Sequence, residues 1–276
     1  MNSSHNASCD LTEIARRIRR EVVQMSHTAR APHLGSCLSC VDILVAAYWS
    51  VLDVDPTQPT ADGRDRLILS KGHGAAALYA TLAHRGFFPL EDLATFNQPG
   101  SNLPEQPSPG GAPGIEAATG SLGHGLSIGL GMALAARIKH LPYRVYVVLS
   151  DGECNEGSVW EAAMFAAANK LSNVVAIVDF NRWQATGRSE EIMAISPLAE
   201  KFAAFGWSAC EVDGHDISAL ADTMKAAPNE PGKPTALIAR TVKGKGISFM
   251  EDDNNWHYRI PNQEELQAAL DELDES

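Results

Sequence analysis

Tyr143-Arg-Val-Tyr-Val-Val-Leu149 runs into Ser150-Asp-Gly-Glu-Cys-Asn-Glu-Gly157, and Val174-Val-Ala-Ile-Val-Asp179 runs into Phe180-Asn181. Each run is short, apolar and β-branched, and each ends in a polar turn, the pattern of a buried strand. Residues 156–169 between them have helical spacing, so the unit reads strand–helix–strand. A crossover on this scale is right-handed and sets neighbouring strands parallel, in a sheet covered by helices on both faces.

Working outward, residues 11–25 read as a basic amphipathic helix and 41–52 as an apolar one. Residues 74–84 are Ala/Leu-rich and helical, and 122–139 form a longer helix with small residues on one side. Downstream, 198–205 and 217–227 read as helices, and 208–212 and 235–240 as strands. The expectation is one doubly wound α/β domain with a mainly parallel sheet and functional loops at the carboxyl ends of its strands. Residues 97–123 are the exception, a Pro- and Gly-rich loop long enough to be functional or disordered. The predicted organisation is a flexible N-terminus over 1–10, the α/β domain over 11–262, and an acidic helix or tail over 263–276, with no repeat or low-complexity tract.

The 276 residues include 22 Lys and Arg against 34 Asp and Glu, a net charge of −12. That balance excludes a nucleic-acid or anionic-membrane binder, which wants a basic face. No apolar run approaches the roughly 18–20 residues of a membrane span, and residues 1–10 lack the apolar core of a secretory signal. The five cysteines are odd in number and scattered, unlike a disulfide framework. A soluble, cytoplasmic chain is the expectation.

Asp151 and Asn181 lie thirty residues apart, one crossover, so both are expected on the same edge of adjacent strands. One carboxylate and one amide oxygen suit a hard cation, Mg2+ or Ca2+, whose shell is completed by main-chain carbonyl, water and phosphate. The helix opening near Glu156 would point its N–H groups at an anion. Either turn alone is commonplace; the two on consecutive strands make a site.

This pair resembles the thiamine-diphosphate motif, Gly-Asp-Gly followed one crossover later by Asn. The rest of the chain is similar to the N-terminal, diphosphate-binding half of transketolase. Ala31-Pro-His-Leu-Gly-Ser36 resembles its first histidine loop and Leu69-Ser-Lys-Gly-His-Gly74 its second. Gly114-Ile-Glu-Ala-Ala-Thr-Gly-Ser-Leu-Gly-His-Gly125 resembles its Thr-Gly-Ser/Pro-Leu-Gly loop, and Thr241-Val-Lys-Gly-Lys-Gly246 with His257 its closing loop. The match runs in the family's order from about Leu11 to Asn262.

The resemblance implies roles. Asp151, Asn181 and the main-chain oxygen of Trp183 would bind Mg2+, or Ca2+, which holds both phosphates. Gly152 would let the backbone approach the diphosphate. His73 and His257 would face the diphosphate and His33 the reacting sugar, while Leu122 and Gly123 would touch the aminopyrimidine. Glu153, His124 and Glu156 complete the implied cofactor set, Glu156 at a subunit interface. Two positions depart from the family's pattern. Ser150 replaces the first Gly of the motif. In Pro104-Glu-Gln-Pro107, Gln106 stands where transketolases carry a His that contacts the donor's C1 hydroxyl, so Gln106 marks a changed donor contact. His33, His73, His124 and His257 are expected to converge on one edge with ordinary imidazole pKa values near ~6.5. His5, His27, His84, His140 and His215 are expected to be structural or solvated.

Two weaker motifs are set aside. Cys37-Leu-Ser-Cys40 has no second pair to complete a zinc site, and reads as buried thiols. Gly123-His-Gly-Leu-Ser-Ile-Gly129 is one residue too long for a dinucleotide fingerprint and follows an irregular loop.

In this superfamily a Glu of a pyrimidine-binding domain activates the cofactor, and no later strand–helix series here supplies it. The implied protein is one subunit of a split transketolase, with a pyrimidine-domain partner in a heterotetramer containing two copies of each chain. It would cleave a ketose, or ketose phosphate, between C2 and C3 and pass a two-carbon ketol unit to an aldose. The alternatives are another thiamine-diphosphate subunit with a changed donor, an acyloin synthase or a 2-oxoacid dehydrogenase α chain. A different class, a non-catalytic nucleotide- or sugar-phosphate-binding module, would bind its ligand tightly without a partner.

Overall fold

The computed structural model describes residues 10–275, so the N-terminal stretch expected to be flexible falls outside the described residues except for Asp10. Asp10 caps α1 (Leu11–Ala29), its carboxylate accepting from the Thr12 and Glu13 N–H groups at 3.0 and 3.4 Å. The chain continues through α2 (Leu34–Ser39), α3 (Val41–Ala46) with a π-turn over Ala47–Val51, β1 (Arg66–Leu69), α4 (Ala75–Arg85) and α5 (His124–Ile138). Next come β2 (Val145–Ser150), α6 (Gly157–Ala168), β3 (Val174–Phe180), α7 (Ser189–Ile192) and α8 (Leu198–Ala204). β4 (Ser208–Asp213), α9 (Ile217–Ala226), β5 (Thr235–Arg240) and α10 (Gln263–Glu275) complete it.

The five strands form one parallel sheet in the order β1-β2-β3-β5-β4. Because side chains alternate across a strand, β2 and β3 feed two apolar layers. Tyr146, Val148, Val175 and Ile177 join the core beneath α1–α4 and α9. Val145, Val147, Leu149, Ala176 and Val178 join the one beneath α5, α6 and α8. This is the doubly wound α/β architecture expected from the sequence. The acidic C-terminal segment is the helix α10. It buries Leu266, Ala269 and Leu273, and Arg16 and Arg20 of α1 donate to its Leu273 and Leu270 carbonyls at 2.8 and 3.2 Å.

Three elements depart from the sequence reading, one of them the single-turn helix α7, which lies where no element was expected. β1 has only four residues, too few for a periodicity. α2 starts at Leu34, inside the stretch read as a loop, after His33 has turned the chain through φ 71°. Residues 97–123 contain no helix or strand, as expected, yet are packed: Leu103, Ala112 and Ala117 are buried. Parallel pairing sends every strand's carboxyl end to one edge. There the register Ser150↔Asp179 brings the turns after β2 and β3 side by side.

Candidate active site

At that edge Asp151 is fully buried. Its Oδ1 accepts from the Gly152 N–H and its Oδ2 from the Ser189 hydroxyl, both at 2.9 Å. Burial lifts this carboxyl to about 7: a desolvated carboxylate whose direct bonds, among the described residues, are to neutral donors is a place for a cation. Asn181 sits on the neighbouring strand end; its Oδ1 accepts from the Trp183 N–H at 3.1 Å and its Nδ2 donates to Ser39 Oγ at 3.3 Å. Trp183 is fixed in turn. Its indole donates to Asp252 at 2.8 Å, and Arg188 stacks 3.8 Å above its ring while also pairing with Asp252. One carboxylate, one amide oxygen and the Trp183 carbonyl are hard-oxygen donors that fit Mg2+ or Ca2+ and leave coordination places for phosphate. No cluster of three His, Cys, Asp or Glu among the described residues competes for such an ion.

Glu153 turns the other way. Its buried carboxylate accepts from Ser70 Oγ at 2.5 Å, from the Gly123 N–H at 2.9 Å and from the Ser150 N–H at 2.9 Å. It was expected to face the cofactor; instead it staples the turn after β1, the start of α5 and the turn after β2 to one another. Burial raises its pKa. Gly123, at φ 80°, fits because a Cβ there would lie 2.5 Å from Ser158 Oγ and 2.7 Å from Glu156 Cβ.

Three of the four expected histidines converge. The ring centroids of His33 and His73 are 5.4 Å apart, those of His33 and His257 5.0 Å, and those of His73 and His257 6.0 Å. His124 stands apart, exposed at the first residue of α5, with its ring nitrogen on the Leu122 carbonyl. The three are not ordinary imidazoles either. Burial, with Lys243 and His33 adding to it, drives His257 down to about 3. Burial and Lys71 push His73 well below its usual value, and burial lowers His33. They are neutral donors and acceptors at physiological pH, which corrects the expectation of near-normal titration.

Two lysines that sequence reading passed over complete the floor. Lys71 is fully buried, donating to the Ser36 carbonyl at 2.8 Å and pairing with Asp179. Burial opposes its charge, but the Asp179 carboxylate prevails and holds its pKa above normal. Lys243 is equally buried; it donates to Asn254 Oδ1 at 2.7 Å and contacts His257 Nδ1 at 3.1 Å, and burial lowers it to about 8. Both sit among small residues in turns directly after strands, which is the signal that could have found them.

A cleft of about 330 Å³ joins these parts, lined by His33, His73, His257, Gln106, Leu122, Gly152, Glu156, Asn181, Trp183 and Gln184. Cavities of 560 and 460 Å³ elsewhere are larger, but this one lies on the strand ends with the cation donors and neutral imidazoles. Gly152 borders it, the nearest atom to a Cβ there being Gln184 Cγ at 3.4 Å. Beside it Gln184 Nε2 is buried without a hydrogen-bond partner, a donor placed for an anion. Gln106 Oε1 lies 2.6 Å from where a Cβ of either Gly72 or Gly120 would stand, so two glycines make room for this side chain. Leu122, 37% exposed, and exposed Glu156 form an open wall. Cys37 and Cys40 are buried thiols raised by burial to about 11 and about 12, as the sequence suggested. His215 is structural: its Nε2 accepts from the Val242 N–H at 2.8 Å and its Nδ1 meets Asp42 at 2.7 Å.

Residues 11–273 match the family model described as transketolase, thiamine diphosphate binding domain. A protein named 6-deoxy-6-sulfo-D-fructose transketolase subunit SqwG, from Clostridium sp. (strain MSTE9), is 41% identical over 96% of each chain. A protein named as one of the subunits of apulose-4-phosphate transketolase, from Phocaeicola vulgatus, is 41% identical over 93% of this chain and 91% of its own. Among solved structures, the transketolase from Leishmania mexicana superposes with a TM-score of 0.89 at 26% identity, over 96% of this chain and 41% of its own. The Campylobacter jejuni transketolase gives 0.83 at 28% identity, over 96% and 46%. The chain therefore spans less than half of these longer transketolases but nearly all of the named subunits. The strand-end donors, the neutral imidazoles and these matches lead to one conclusion: the chain belongs to the transketolase family and carries its thiamine-diphosphate-binding domain.

Proposed function

We propose that this chain is the diphosphate-binding subunit of a two-chain transketolase, which moves a two-carbon ketol unit from a ketose donor to an aldose acceptor. The observation that carries this reading is the pairing of Asp151 and Asn181 on adjacent strand ends beneath a wall of three neutral histidines. Asp151, Asn181 and the Trp183 carbonyl would hold Mg2+, and Gly152 and Gln184 would meet the diphosphate. Thiamine diphosphate, when bound, supplies the electron sink that allows the bond beside a ketose carbonyl to break. His33, His73 and His257, kept neutral by burial and by the nearby lysines, would accept and return protons at sugar hydroxyl oxygens. Gln106 would orient the donor by hydrogen bonding without carrying a proton.

Leu122 and Glu156, on the open wall, suit a second chain that closes the cleft and supplies the pyrimidine side, in an assembly with two copies of each chain. The relatives' names favour this over an acyloin synthase or a 2-oxoacid dehydrogenase chain. Those names specify a sulfonated and a phosphorylated ketose, so we take a ketose with an anionic far end as the donor class. Cytoplasmic residence belongs to the same reading; the four described cysteines are free thiols.

The test is calorimetry of thiamine diphosphate with Mg2+, on this chain alone and then with a pyrimidine-domain subunit encoded beside it. Weak binding alone and tight binding in the mixture, with ketol transfer from ketose phosphates, is the expected result. Tight binding by the chain alone, or none in either case, overturns the reading.

A further inference from the structure

His33 is held unusually for a residue with a side chain. Its φ of 71° lies in the left-handed region, and its main-chain N–H donates to the His257 carbonyl at 2.7 Å. Such strain persists where surrounding structure enforces it, often at functional sites. Its Nδ1 is buried with no hydrogen-bond partner. Facing that atom, 3.5 Å away, is Oε1 of Glu105.

Glu105 is not a wandering surface carboxylate. Prolines 104 and 107 stiffen its turn, the Pro107 carbonyl accepts from the Thr119 N–H at 3.3 Å, and the neighbouring Gln106 side chain rests on Gly72 and Gly120. The turn is thus anchored to the backbone that carries His73. The other groups whose charges act on His33 are Lys243, from the loop after β5, and Lys71, after β1; His73 and His257 pack against its ring as neutral imidazoles, and the Tyr258 ring lies 6.1 Å away. Glu105 is the carboxylate in this set.

We propose that Glu105 is a positioning residue, taking the Nδ1–H of His33 so that its Nε2 lone pair is presented to the substrate. This rests on the site being the catalytic one proposed above. When a substrate hydroxyl gives its proton to Nε2, the O–H bond breaks, an N–H bond forms, and the Glu105 carboxylate balances the new imidazolium charge. The same proton returns to oxygen in the reverse step, so His33 ends as it began. In the free chain the 3.5 Å gap is longer than a strong hydrogen bond, and such contacts commonly tighten when substrate fills a site.

The test is nitrogen-15 NMR of the histidines in the full chain, with a His33→Gln variant assigning the His33 signals. Wild type should show the Nδ1–H tautomer. Glu105→Gln, which still accepts a hydrogen bond, should keep that tautomer with its titration midpoint lowered by about 0.5–1 pH unit. Glu105→Ala should lose both the tautomer preference and the higher midpoint. Unchanged His73 and His257 signals certify folding. In the two-chain enzyme the acid limb of kcat should move with the midpoint while the cofactor Kd stays within about twofold. Identical tautomer and midpoint in all three proteins overturn the proposal, and so does an unmoved kcat limb. The NMR result needs neither cofactor nor turnover. The expected tautomers without any ketol transfer would therefore uphold the pairing and overturn the proposed reaction instead.

Discussion

The turns after β2 and β3 and the long loop over residues 97–123 both line the cleft, but they are built on different principles. The turns are short and hang from a parallel register, Ser150↔Asp179, so their side chains are placed by the sheet. Three of their side chains are paired within the chain, Asp151 with Ser189 and Gly152, Asn181 with Trp183 and Ser39, and Glu153 with three separate backbone segments, while Gln184 Nε2 is buried without a partner. The loop has no ladder. It places Glu105 and Gln106 through prolines and through a side chain laid on two glycines, and it leaves Thr119 Oγ1 buried without a partner. A site can thus combine a rigid end set by the fold with an end that changes by single substitutions.

The sharpest way to break this comparison is to remove the carboxylate proposed to hold the cation. Asp151→Ala should weaken Mg2+-dependent thiamine-diphosphate binding by at least about 100-fold, since a hard-cation site loses its one carboxylate. Gln106→Ala, in the loop, should leave that affinity within about threefold. Calorimetry on the reconstituted pair reads both. Equal losses in the two variants would mean that the loop, too, is part of the diphosphate end.

Glu153 tests the rigidity of the turns directly. Glu153→Ala strips the partner from the Gly123 and Ser150 N–H groups and from Ser70 in a buried place, and should cost about 2–4 kcal/mol of stability. Urea unfolding measures it. A loss below about 0.5 kcal/mol would show that the three turns stand without the staple.

The histidine wall adds a pH signature. His257 binds its proton only near about 3 in the folded chain but near its usual 6.5 when unfolded. Between those values the unfolded state holds more protons, so stability falls as pH drops from about 6.5 toward 3. The slope is at most about 1.4 kcal/mol per pH unit, less where water at the cleft mouth screens the ring. His257→Asn should flatten the decline in urea midpoint between pH 6.5 and 4.5. An unchanged slope would place the acid sensitivity elsewhere.

What could be read from the sequence follows the same division. The β2–β3 crossover, with Asp151 and Asn181 at neighbouring strand ends, was legible because strand periodicity and polar turns fix those positions; the grouping of His33, His73 and His257 came instead from the resemblance of their loops to those of transketolase. β1 was not, because Arg66–Leu69 is too short to show alternation. The inward turn of Glu153 was not, because its partners lie on Ser70 and Gly123, distant in sequence. Nor was the neutral state of the histidines, which depends first on their own burial and then on the nearby charges of Lys71 and Lys243. His124 was misplaced because a Gly-flanked histidine looks the same whether the helix start turns it inward or out to solvent.

The smallest expected effect is the most informative about the loop. Gln106 can donate and accept hydrogen bonds but cannot carry a proton, whereas an imidazole can do both. Gln106 is exposed, so Gln106→His should fold and bind cofactor normally. The change acts at one substrate contact, worth about 1 kcal/mol, so the ratio of kcat/KM between ordinary ketose phosphates and other ketose donors should rise about three- to tenfold. If the ratio does not move while cofactor affinity is intact, Gln106 does not read the donor, and the loop's contribution narrows to Glu105. If cofactor affinity falls with the ratio, the loop and the turns are one mechanical unit, and the division between them fails.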